Sequence, residues 1–337
     1  MRLDRVRWGI IGCGDVCEVK SGPAMQKAEG SELVAVMRRD GEKARDYAQR
    51  HGVPKWFSNA DDLINDPEVN AVYVATPPSS HLEYAVKAAQ AGKPVYVEKP
   101  MARTHAECHQ MIEACQKAGL PLFVAYYRRR LPAFLKVKDL IDSGAIGEMR
   151  CVSLKLLHPP SPNDLDKGNL PWRVRPEISG GGYFVDLGSH QFDLLDFLLG
   201  PITRVQGHAT NLAGLYSAED TVSASFSFES GVVGTGLWSF VASQVAQTDL
   251  TEITGSKGKV SYSTFAKAAV RLETDRGVEE FNLPNPEHIQ QPLIQTVVDE
   301  LRGKGRCPST AETGARTSWV IDEVLREWRL VQRGASA

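Results

Sequence analysis

The amino-acid sequence predicts an α/β protein of two domains: an N-terminal domain with a parallel, doubly wound sheet, followed by an α+β domain with an open, largely antiparallel sheet. Three observations support this prediction. The 337 residues exceed what one hydrophobic core usually organises, so about two domains are expected. In the first half, short apolar runs alternate with helix-length segments, which is the pattern of βαβ units. In the second half, strand-like runs follow one another across glycine-containing turns, which favours hairpin pairing.

The first half supplies five predicted strands and five predicted helices. The strands are apolar throughout, as expected when helices cover both faces of a sheet. They are placed at residues 5–12, 32–38, 71–75, 94–98 and 120–125. The helices are placed at residues 15–29, 42–51, 60–65, 81–91 and 104–118. Gly52 fits a helix C-cap and Thr104 fits a helix N-cap.

The second half has a different order of elements. A helix at 133–143 and a strand at 148–157 precede a polar, proline-rich stretch, and an amphipathic helical segment is expected at 183–199. Seven strand-like runs follow, at residues 204–210, 220–229, 232–240, 250–254, 258–263, 269–273 and 278–281. Two more helices are expected at 289–302 and 311–329. The predicted domains are therefore residues 1–125 and residues 126–337.

Composition and charge exclude several classes of protein. Thirty-nine basic and forty-one acidic side chains leave a formal net charge of −2, so the chain lacks the positive excess that nucleic acid or an anionic membrane surface attracts. No apolar run approaches the ~18–20 residues that a membrane span requires. The first residues pass from charge directly into a predicted strand, which leaves no room for a signal peptide. A cytoplasmic location is therefore expected.

Cysteine and histidine spacing gives no metal site. The six cysteines have the pattern of neither a disulfide framework nor a zinc site. His105 and His109 lie four residues apart on a predicted helix, but no third ligand accompanies them. A solvated helix face is therefore favoured, and no metal is predicted.

A glycine-rich loop joins the first predicted strand to the first predicted helix. Its sequence is Gly9-Ile-Ile-Gly12-Cys-Gly14-Asp-Val-Cys17. In a Rossmann dinucleotide-binding domain, the first glycine of G-x-G permits a tight turn, and the second leaves room for a pyrophosphate at the helix N-terminus. The residues predicted to bind the cofactor here are Gly12, Cys13, Gly14, Asp15 and Val16. Cys17 stands where the pattern has Gly or Ala, and a plain βα turn is the alternative interpretation.

The residues after the second predicted strand bear on the choice of cofactor. This position lies about 20 residues beyond the glycine loop, where an acidic residue would hydrogen-bond the ribose of NAD. The sequence instead has Arg38 and Arg39, whose guanidinium groups suit a phosphate monoester. We therefore predict NADP, with NAD as the alternative. In that alternative both arginines are solvated and Asp40 binds the ribose.

Motifs further along the chain resemble those of one family. They are Ala75-Thr76-Pro77-Pro78-x-x-His81, Ala91-Gly92-Lys93-Pro94-Val-Tyr-Val-Glu98-Lys99-Pro100, Tyr126-Tyr127-Arg128-Arg129, Ser143-Gly-Ala-Ile-Gly147-Glu148 and Gly180-Gly181-Gly182-Tyr-Phe-Val-Asp186-Leu-Gly188-Ser-His190-x-x-Asp193. The chain is similar over essentially its whole length to the glucose–fructose oxidoreductase, inositol dehydrogenase and rhizopine-catabolism family (Gfo/Idh/MocA). The departures are Cys17 and Arg38.

The resemblance implies a Rossmann domain plus an open-faced sheet domain, with the active site between them. It also implies oxidation or reduction of a carbinol or carbonyl on a sugar, cyclitol or related polyol. The family's catalytic lysine, aspartate and histidine fall on Lys99, Asp186 and His190. By the same resemblance, further cofactor contacts are expected from Ala75, Thr76, Pro77, His81, Glu98 and Lys99.

The candidate catalytic residues suit proton exchange during hydride transfer. Asp186 and His190 are four residues apart and share one face of a helix. Histidine titrates near neutrality, and a nearby carboxylate stabilises its cation. Lys99 follows a strand end and can polarise the reacting oxygen. His190 is the expected proton carrier, with Asp186 orienting it or the substrate, although Lys99 and His190 can exchange these roles.

Four further residues are candidates for substrate contact. Trp172 and Arg173 lie in the irregular stretch before the glycine triplet, with a packed surface tryptophan as the alternative. Tyr127 and Arg128 follow the last strand of the first predicted domain, where interdomain packing is equally expected.

Three functions remain open from the sequence. The favoured one is an NAD(P)-dependent oxidoreductase of polyols or their keto forms, with an aromatic dihydrodiol or a tetrapyrrole as non-sugar variants. The others are a dinucleotide-sensing regulator without catalysis and a glycoside hydrolase that uses bound NAD. Apolar alternation in residues 220–240 leaves one sheet face for a second subunit. A homodimer or homotetramer through the C-terminal sheet is expected.

Overall fold

The computed structural model describes residues 2–335, which fall into two units. The first unit comprises the chain up to Leu131 together with Pro286–Ala315, and the second comprises Pro132–Asn285 and the chain from Arg316 onward. The predicted division differs from these units, because it placed one boundary at residue 125 and every later residue in the second domain. Pro286–Ala315 belongs to the first unit because its helix buries an apolar face there, against the helix that follows the glycine loop.

The first unit contains a six-stranded parallel sheet. Its strands are β1 (Val6–Ile11), β2 (Ser31–Met37), β3 (Lys55–Phe57), β4 (Ala71–Val74), β5 (Val95–Val97) and β6 (Leu122–Val124). They lie in the order β3-β2-β1-β4-β5-β6, and every neighbouring pair is parallel. The order reverses at β1, so the loops after β1 and β4 meet at the switch point, where α/β sheets bind ligands.

Helices flank this sheet. They are α1 (Gly22–Lys27), α2 (Gly41–His51), α3 (Ala60–Asn65), α4 (His81–Gln90), α5 (His105–Lys117) and, from the returning segment, α9 (Gln291–Leu301). The sequence predicted all of these elements except β3, a three-residue edge strand without an apolar run. Gly52 adopts φ 63° at the end of α2, and the Thr104 side chain caps α5, as predicted.

The second unit contains an eight-stranded sheet. Its strands are β7 (Met149–Leu157), β8 (Ile202–Thr210), β9 (Thr221–Phe228), β10 (Val233–Ser239), β11 (Thr248–Gly255), β12 (Gly258–Tyr262), β13 (Val270–Thr274) and β14 (Gly277–Phe281). The order is β14-β13-β12-β11-β7-β10-β9-β8. All pairs are antiparallel except β7 with β10, which confirms the largely antiparallel sheet.

The helices of the second unit are α6 (Pro132–Asp142), α7 (Pro176–Ser179), α8 (Ser189–Leu199), the end of α10 (Ala311–Val324) and α11 (Arg326–Ala335). The helix expected at 311–329 is interrupted at Leu325, and no Pro or Gly marks the interruption. The amphipathic helix expected at 183–199 is instead buried on nearly every side. The sheet covers one side, since Trp238 Nε1 donates to Gln191 Oε1 at 2.6 Å, and α6 packs on another.

No helix within residues 2–335 is long and apolar enough to cross a membrane. All six cysteines carry free thiols.

Candidate active site

The glycine loop after β1 is shaped by one close contact and one open side. Gly12 has φ +90°, and a Cβ there would lie 2.7 Å from Thr76 Cγ2. Gly12 therefore lets the loop after β1 approach the loop after β4. At Gly14 a Cβ would meet nothing nearer than Gly12 O at 4.0 Å. Packing within the protein does not explain this second glycine, so its open side leaves room for a group from outside.

The helix after this loop runs from residue 15 to residue 27 and contains a π turn at Cys17–Ser21. Its first amides, at Asp15 and Val16, precede any intrahelical acceptor, which makes the helix start an anion-binding position. Cys17 stands where the glycine pattern has Gly or Ala, and the structure accommodates its small side chain in a fully buried position. Tyr47 donates its hydroxyl to Cys17 O at 2.9 Å and so satisfies a carbonyl of the π turn.

Arg38 and Asp40 have different surroundings at the end of β2. The Asp40 carboxylate caps α2 by accepting from Lys43 N–H at 3.2 Å, and this bond holds the pKa of Asp40 below its usual value. Arg38 is half-buried, and its guanidinium makes no ion pair with a carboxylate of residues 2–335. Burial raises the pKa of the Cys13 thiol to about 11, and Arg38 opposes this shift electrostatically. Arg38 is thus a cation close to the glycine loop, with a stronger effect on Cys13 than that of Arg50, whereas Arg39 is exposed.

The loop after β4 is held by His81. Ala75 N–H donates to Ile11 O at 2.8 Å, and Ser80 donates to Thr76 Oγ1 at 2.8 Å. The His81 ring is fully buried, with its nitrogens 2.7 Å from Thr76 O and 3.1 Å from Met101 O. Burial lowers the pKa of His81. Both nitrogens therefore face backbone, so His81 fixes the loop.

A buried hydrogen-bond network surrounds Glu98, just before Lys99. The Glu98 side chain is 7% exposed. Tyr73 Oη and Gln290 Nε2 donate to Glu98 Oε1 at 2.6 and 2.7 Å, and Lys99 N–H donates to Glu98 Oε2 at 3.0 Å. The network fixes the backbone that carries Lys99. Gln290 comes from the returning segment, 192 residues further on, so no local motif could have revealed it.

The first unit by itself has the features that a dinucleotide-binding site requires. The loops after β1 and β4 meet at the switch point, a Cβ on Gly14 would meet nothing nearer than Gly12 O at 4.0 Å, and the helix start supplies amides. Arg38 adds a cation at the end of the neighbouring strand. Together these features match the requirements of a pyrophosphate and an adenosine ribose.

The second unit carries Asp186 and His190 on one continuous helix, residues 183–199. Asp186 lies in a π turn, Phe184–Gly188, and His190 lies in the first turn of α8. Both are buried, at 8% and 4% exposed. Arg173 Nε donates to Asp186 Oδ2 at 3.1 Å, and the Arg173 guanidinium lies 4.6 Å from the centre of the Trp172 ring. The structure therefore brings two substrate candidates, Trp172 and Arg173, to the candidate catalytic aspartate.

The glycine triplet before this helix wraps a buried carboxyl group that sequence analysis missed. Glu219 is 1% exposed, and its Oε1 accepts from Gly182 N–H at 2.7 Å. A Cβ on Gly182 would lie 2.5 Å from Glu219 O, and one on Gly181 would lie 3.1 Å from Glu219 Oε1. The only sequence signal was the triplet itself, which does not identify its partner.

The other candidates lie within the first unit. Tyr127 and Arg128 are each 7% exposed, and the Arg128 guanidinium lies 5.0 Å from the centre of the Tyr127 ring. On α5, His105 and His109 face each other with Nε2 atoms 3.0 Å apart, His105 partly buried and His109 exposed. Within residues 2–335, no three or more His, Cys, Asp or Glu side chains are grouped to hold a metal ion.

Comparison with known proteins shows which family the chain belongs to. Residues 6–126 match the model of an oxidoreductase family with an NAD-binding Rossmann fold, and residues 134–261 match the GFO/IDH/MocA C-terminal domain. The fold and the matched models define an oxidoreductase with an NAD-binding domain. The chain belongs to the Gfo/Idh/MocA family, which confirms the resemblance read from the motifs.

Two relatives and one solved structure illustrate the similarity. The chain is 41% identical over 318 residues to "Oxidoreductase P35" of Formosa agariphila, covering 94% of this chain and 98% of that one. It is 30% identical over 318 residues to a 1,5-anhydro-D-fructose reductase of Ensifer adhaerens, covering 91% and 92%. Levoglucosan dehydrogenase, solved with NADH and levoglucosan, matches with a TM-score of 0.86 at 23% identity over 96% of each chain. The structural match shows the common fold.

Proposed function

We propose that this protein transfers hydride between a nicotinamide dinucleotide, with NADP preferred over NAD, and a carbinol or ketone carbon of a sugar, cyclitol or related polyol. The observation that carries the proposal is the open side of Gly14 at the switch point of a parallel sheet. The substrate class is supported by the names of two similar proteins, which act on 1,5-anhydro-D-fructose and levoglucosan.

The cofactor would be held by the first unit. The pyrophosphate is assigned to the loop Gly12, Cys13, Gly14 and to the amides of Asp15 and Val16. The neighbouring loop, after β4, would add contacts from Ala75, Thr76 and Pro77. His81 holds that loop through its contact with Thr76 O, and Glu98 holds the backbone of Lys99. When bound, the nicotinamide would donate or accept the hydride.

The preference for NADP rests on Arg38. Asp40 is already engaged as the cap of α2, so the alternative in which it binds a ribose diol would require this cap to be released. Arg38 has no carboxylate partner in the described chain and lies close enough to Cys13 to influence its thiol. A phosphate monoester would supply the missing anion, with Arg39 as a second, more exposed cation.

The residues of this chain would handle the proton. His190 exchanges a proton with the substrate oxygen, because a histidine can both donate and accept near neutral pH. Asp186 orients His190 or the substrate, and its bond from Arg173 keeps it an acceptor. The Lys99 ammonium stabilises negative charge on the reacting oxygen. Lys99 and His190 can exchange the proton-carrying role.

Trp172 and Arg173 are proposed to contact the substrate beside Asp186. The Arg173 side chain is 47% exposed although its Nε is bonded to Asp186, so its remaining N–H groups can reach a hydroxyl group. Tyr127 and Arg128 are proposed as further contacts, with packing as their alternative role. Arg173→Lys should raise the KM for the polyol more than the KM for the dinucleotide, and equal changes would remove the assignment.

The proposed function is tested by mixing the protein with NADPH or NADH and a panel of keto sugars, including 1,5-anhydro-D-fructose. Loss of absorbance from the reduced nicotinamide, faster with NADPH, is the expected result. Tight dinucleotide binding without turnover on any keto sugar or polyol would contradict it and favour a regulator. Release of p-nitrophenol from aryl glycosides without added cofactor would favour a hydrolase.

We also propose a homodimer or homotetramer through the free face of the second sheet. Apolar side chains on this face are exposed: Val233 is 55%, Leu237 is 40% and Leu250 is 38% exposed. Alternating positions of β10 face the buried side. Light scattering after size exclusion should give a dimer or tetramer, and Val233→Asp with Leu237→Asp should give a monomer. A monomeric wild-type protein at micromolar concentration would contradict this proposal.

A further inference from the structure

Glu219 is a buried carboxyl group that the mechanism above does not use. It precedes β9 and is 1% exposed. The hydrogen bond from Gly182 N–H to Glu219 Oε1, 2.7 Å long, connects it to the start of the helix at 183–199. Val185 and Asp186 N–H groups donate to Gly182 O at 3.1 and 3.4 Å. Gly182 is therefore the residue from which this helix begins, and Glu219 holds its amide.

Two residues of the glycine triplet, Gly181 and Gly182, let this carboxyl group approach, whereas Gly180 has φ 87° at the end of α7. A Cβ on Gly182 would lie 3.2 Å from Glu219 Oε1 as well as 2.5 Å from Glu219 O. The turn has two further anchors: Ser179 Oγ donates to Gly181 O at 2.5 Å, and Arg329 donates to Gly180 O at 2.9 Å. Each residue of the triplet is thus fixed by a different side chain of the same unit.

The charges around Glu219 do not neutralise it completely. Arg329 attracts the carboxylate but is also paired with Asp322. The negative charge of Asp220 opposes ionisation of Glu219. The Glu219 carboxylate also contributes to the raised pKa of the buried Tyr216 phenol, after the larger effects of burial and Asp220. Burial is the largest effect and raises the pKa of Glu219 from 4.5 to about 7.

Ionised Glu219 consequently reduces the stability of the fold. The folded protein binds the proton more tightly than the unfolded chain does, so stability falls as pH rises from 4.5 to about 7 and stays lower above that. Glutamine at this position could accept the same Gly182 amide without this penalty. A carboxylate offers more to the helix, because a negative charge at a helix N-terminus interacts favourably with the helix dipole.

We propose that Glu219 is a positioning residue, whose carboxylate fixes the start of the helix at 183–199 and thereby the placement of Asp186 and His190. The inference rests on the proposed function, in which those two residues carry the proton chemistry. Glu219 acts through the helix and touches neither substrate nor cofactor in this role.

The test compares Glu219→Gln and Glu219→Ala with wild type, and uses Asp220→Asn as the matched control. Asp220 is the adjacent buried carboxylate, but it accepts from the Leu212 and Ala213 amides at 2.8–3.0 Å, away from the helix start. Glu219→Ala should lower kcat about tenfold, as expected for loss of a charge-assisted hydrogen bond, with the KM for the dinucleotide nearly unchanged. Glu219→Gln should restore part of kcat.

Two further readouts separate positioning from general stability. Thermal unfolding should show a midpoint that falls between pH 5 and pH 8 in wild type and does not fall in Glu219→Gln. Hydrogen exchange should show lost protection in Glu219→Ala within residues 182–190, whereas Asp220→Asn should affect residues 212–213. For Glu219→Gln, kcat should thus fall at pH 8 while stability is kept or increased.

Several outcomes would overturn the proposal. Glu219→Ala with wild-type kcat would do so, as would a loss of kcat equal to that in Asp220→Asn and proportional to the loss of stability. If wild type reduces no keto sugar, the proposed function fails, and unchanged protection of residues 182–190 in Glu219→Ala would then independently reject the anchoring role. Turnover in wild type with unaltered turnover in Glu219→Ala rejects this inference alone.

Discussion

The two units each contain a glycine-rich turn at the start of a helix, and the reasons for the glycines are opposite. In the first unit, a Cβ on Gly14 would have no neighbour closer than 4.0 Å. In the second, a Cβ on Gly182 would lie 2.5 Å from Glu219 O. The first turn leaves its space open, whereas the backbone carbonyl and the carboxyl group of Glu219 fill the space at the second.

Both turns use the same property of a helix. Amide groups at a helix N-terminus attract negative charge. In the first unit we assign that charge to the pyrophosphate of a bound dinucleotide, and in the second it comes from Glu219. A glycine motif alone therefore does not identify a ligand site, since it also arises where two parts of one chain approach closely.

The largest expected effect concerns the helix that begins at the second turn. Replacing His190 with Ala should lower kcat by ~10²-fold or more, because general acid–base catalysis contributes about that much. The affinity for the dinucleotide, assigned to the first turn, should change little. Steady-state rates and calorimetric titration measure the two quantities, and wild-type turnover in this variant would contradict the assignment.

Gly182→Ala should mainly lower stability. The added methyl group overlaps Glu219, and overpacking of this kind costs about 1–3 kcal/mol. Chemical denaturation should show this loss in the free energy of unfolding. An unchanged unfolding midpoint would mean that the second turn is as open as the first.

Gly14→Ala is the counterpart in the first unit. The added methyl group would lie no nearer than 4.0 Å from Gly12 O, so the free energy of unfolding should stay within about 0.5 kcal/mol of wild type. The dinucleotide should bind about tenfold more weakly, equivalent to about 1.4 kcal/mol, because the methyl group occupies its space. Full affinity in a stable variant would show that the open side of Gly14 is not the binding position.

Arg38→Asp tests whether Arg38, beside the first turn, binds the phosphate that distinguishes NADP from NAD. The variant should lose affinity for NADP by about tenfold or more, because a charge-assisted bond is replaced by repulsion. Affinity for NAD should fall much less, and Arg39→Asp should have the smaller effect of an exposed cation. Equal losses for both dinucleotides would remove the preference for NADP.

The smallest expected effect is on the pH dependence of stability, which should differ in sign between Glu18 near the first turn and Glu219 at the second. Hydrogen bonds from Arg50 lower the pKa of Glu18 from 4.5 to about 2. The stability from this pair is therefore present above pH 4.5 and lost as pH falls through 2, opposite in sign to the effect of Glu219. Glu18→Gln should reduce the acid sensitivity of the unfolding midpoint between pH 4.5 and 2. An unchanged acid response would reject the pairing.

The sequence predicted the parallel sheet well because its strands are buried on both faces and read as continuous apolar runs. It missed β3, which has no such run, and it misjudged the helix at 183–199, whose polar residues are buried against partners far away in sequence. Trp238 pairs with Gln191 across 47 residues and Glu219 with Gly182 across 37. The motifs predicted which residue types form the site. They could not predict these long-range contacts, or the one between Gln290 and Glu98, because the partners become neighbours only when the chain folds.

A crystal structure with bound NADP would test both assignments, the pyrophosphate at the first turn and Glu219 at the second. It should place pyrophosphate oxygens within hydrogen-bond distance of the amides of Asp15 and Val16, beside the open side of Gly14, with Glu219 still accepting from Gly182 N–H. A pyrophosphate bound elsewhere, or a phosphate group that displaces Glu219 at Gly182, would contradict it.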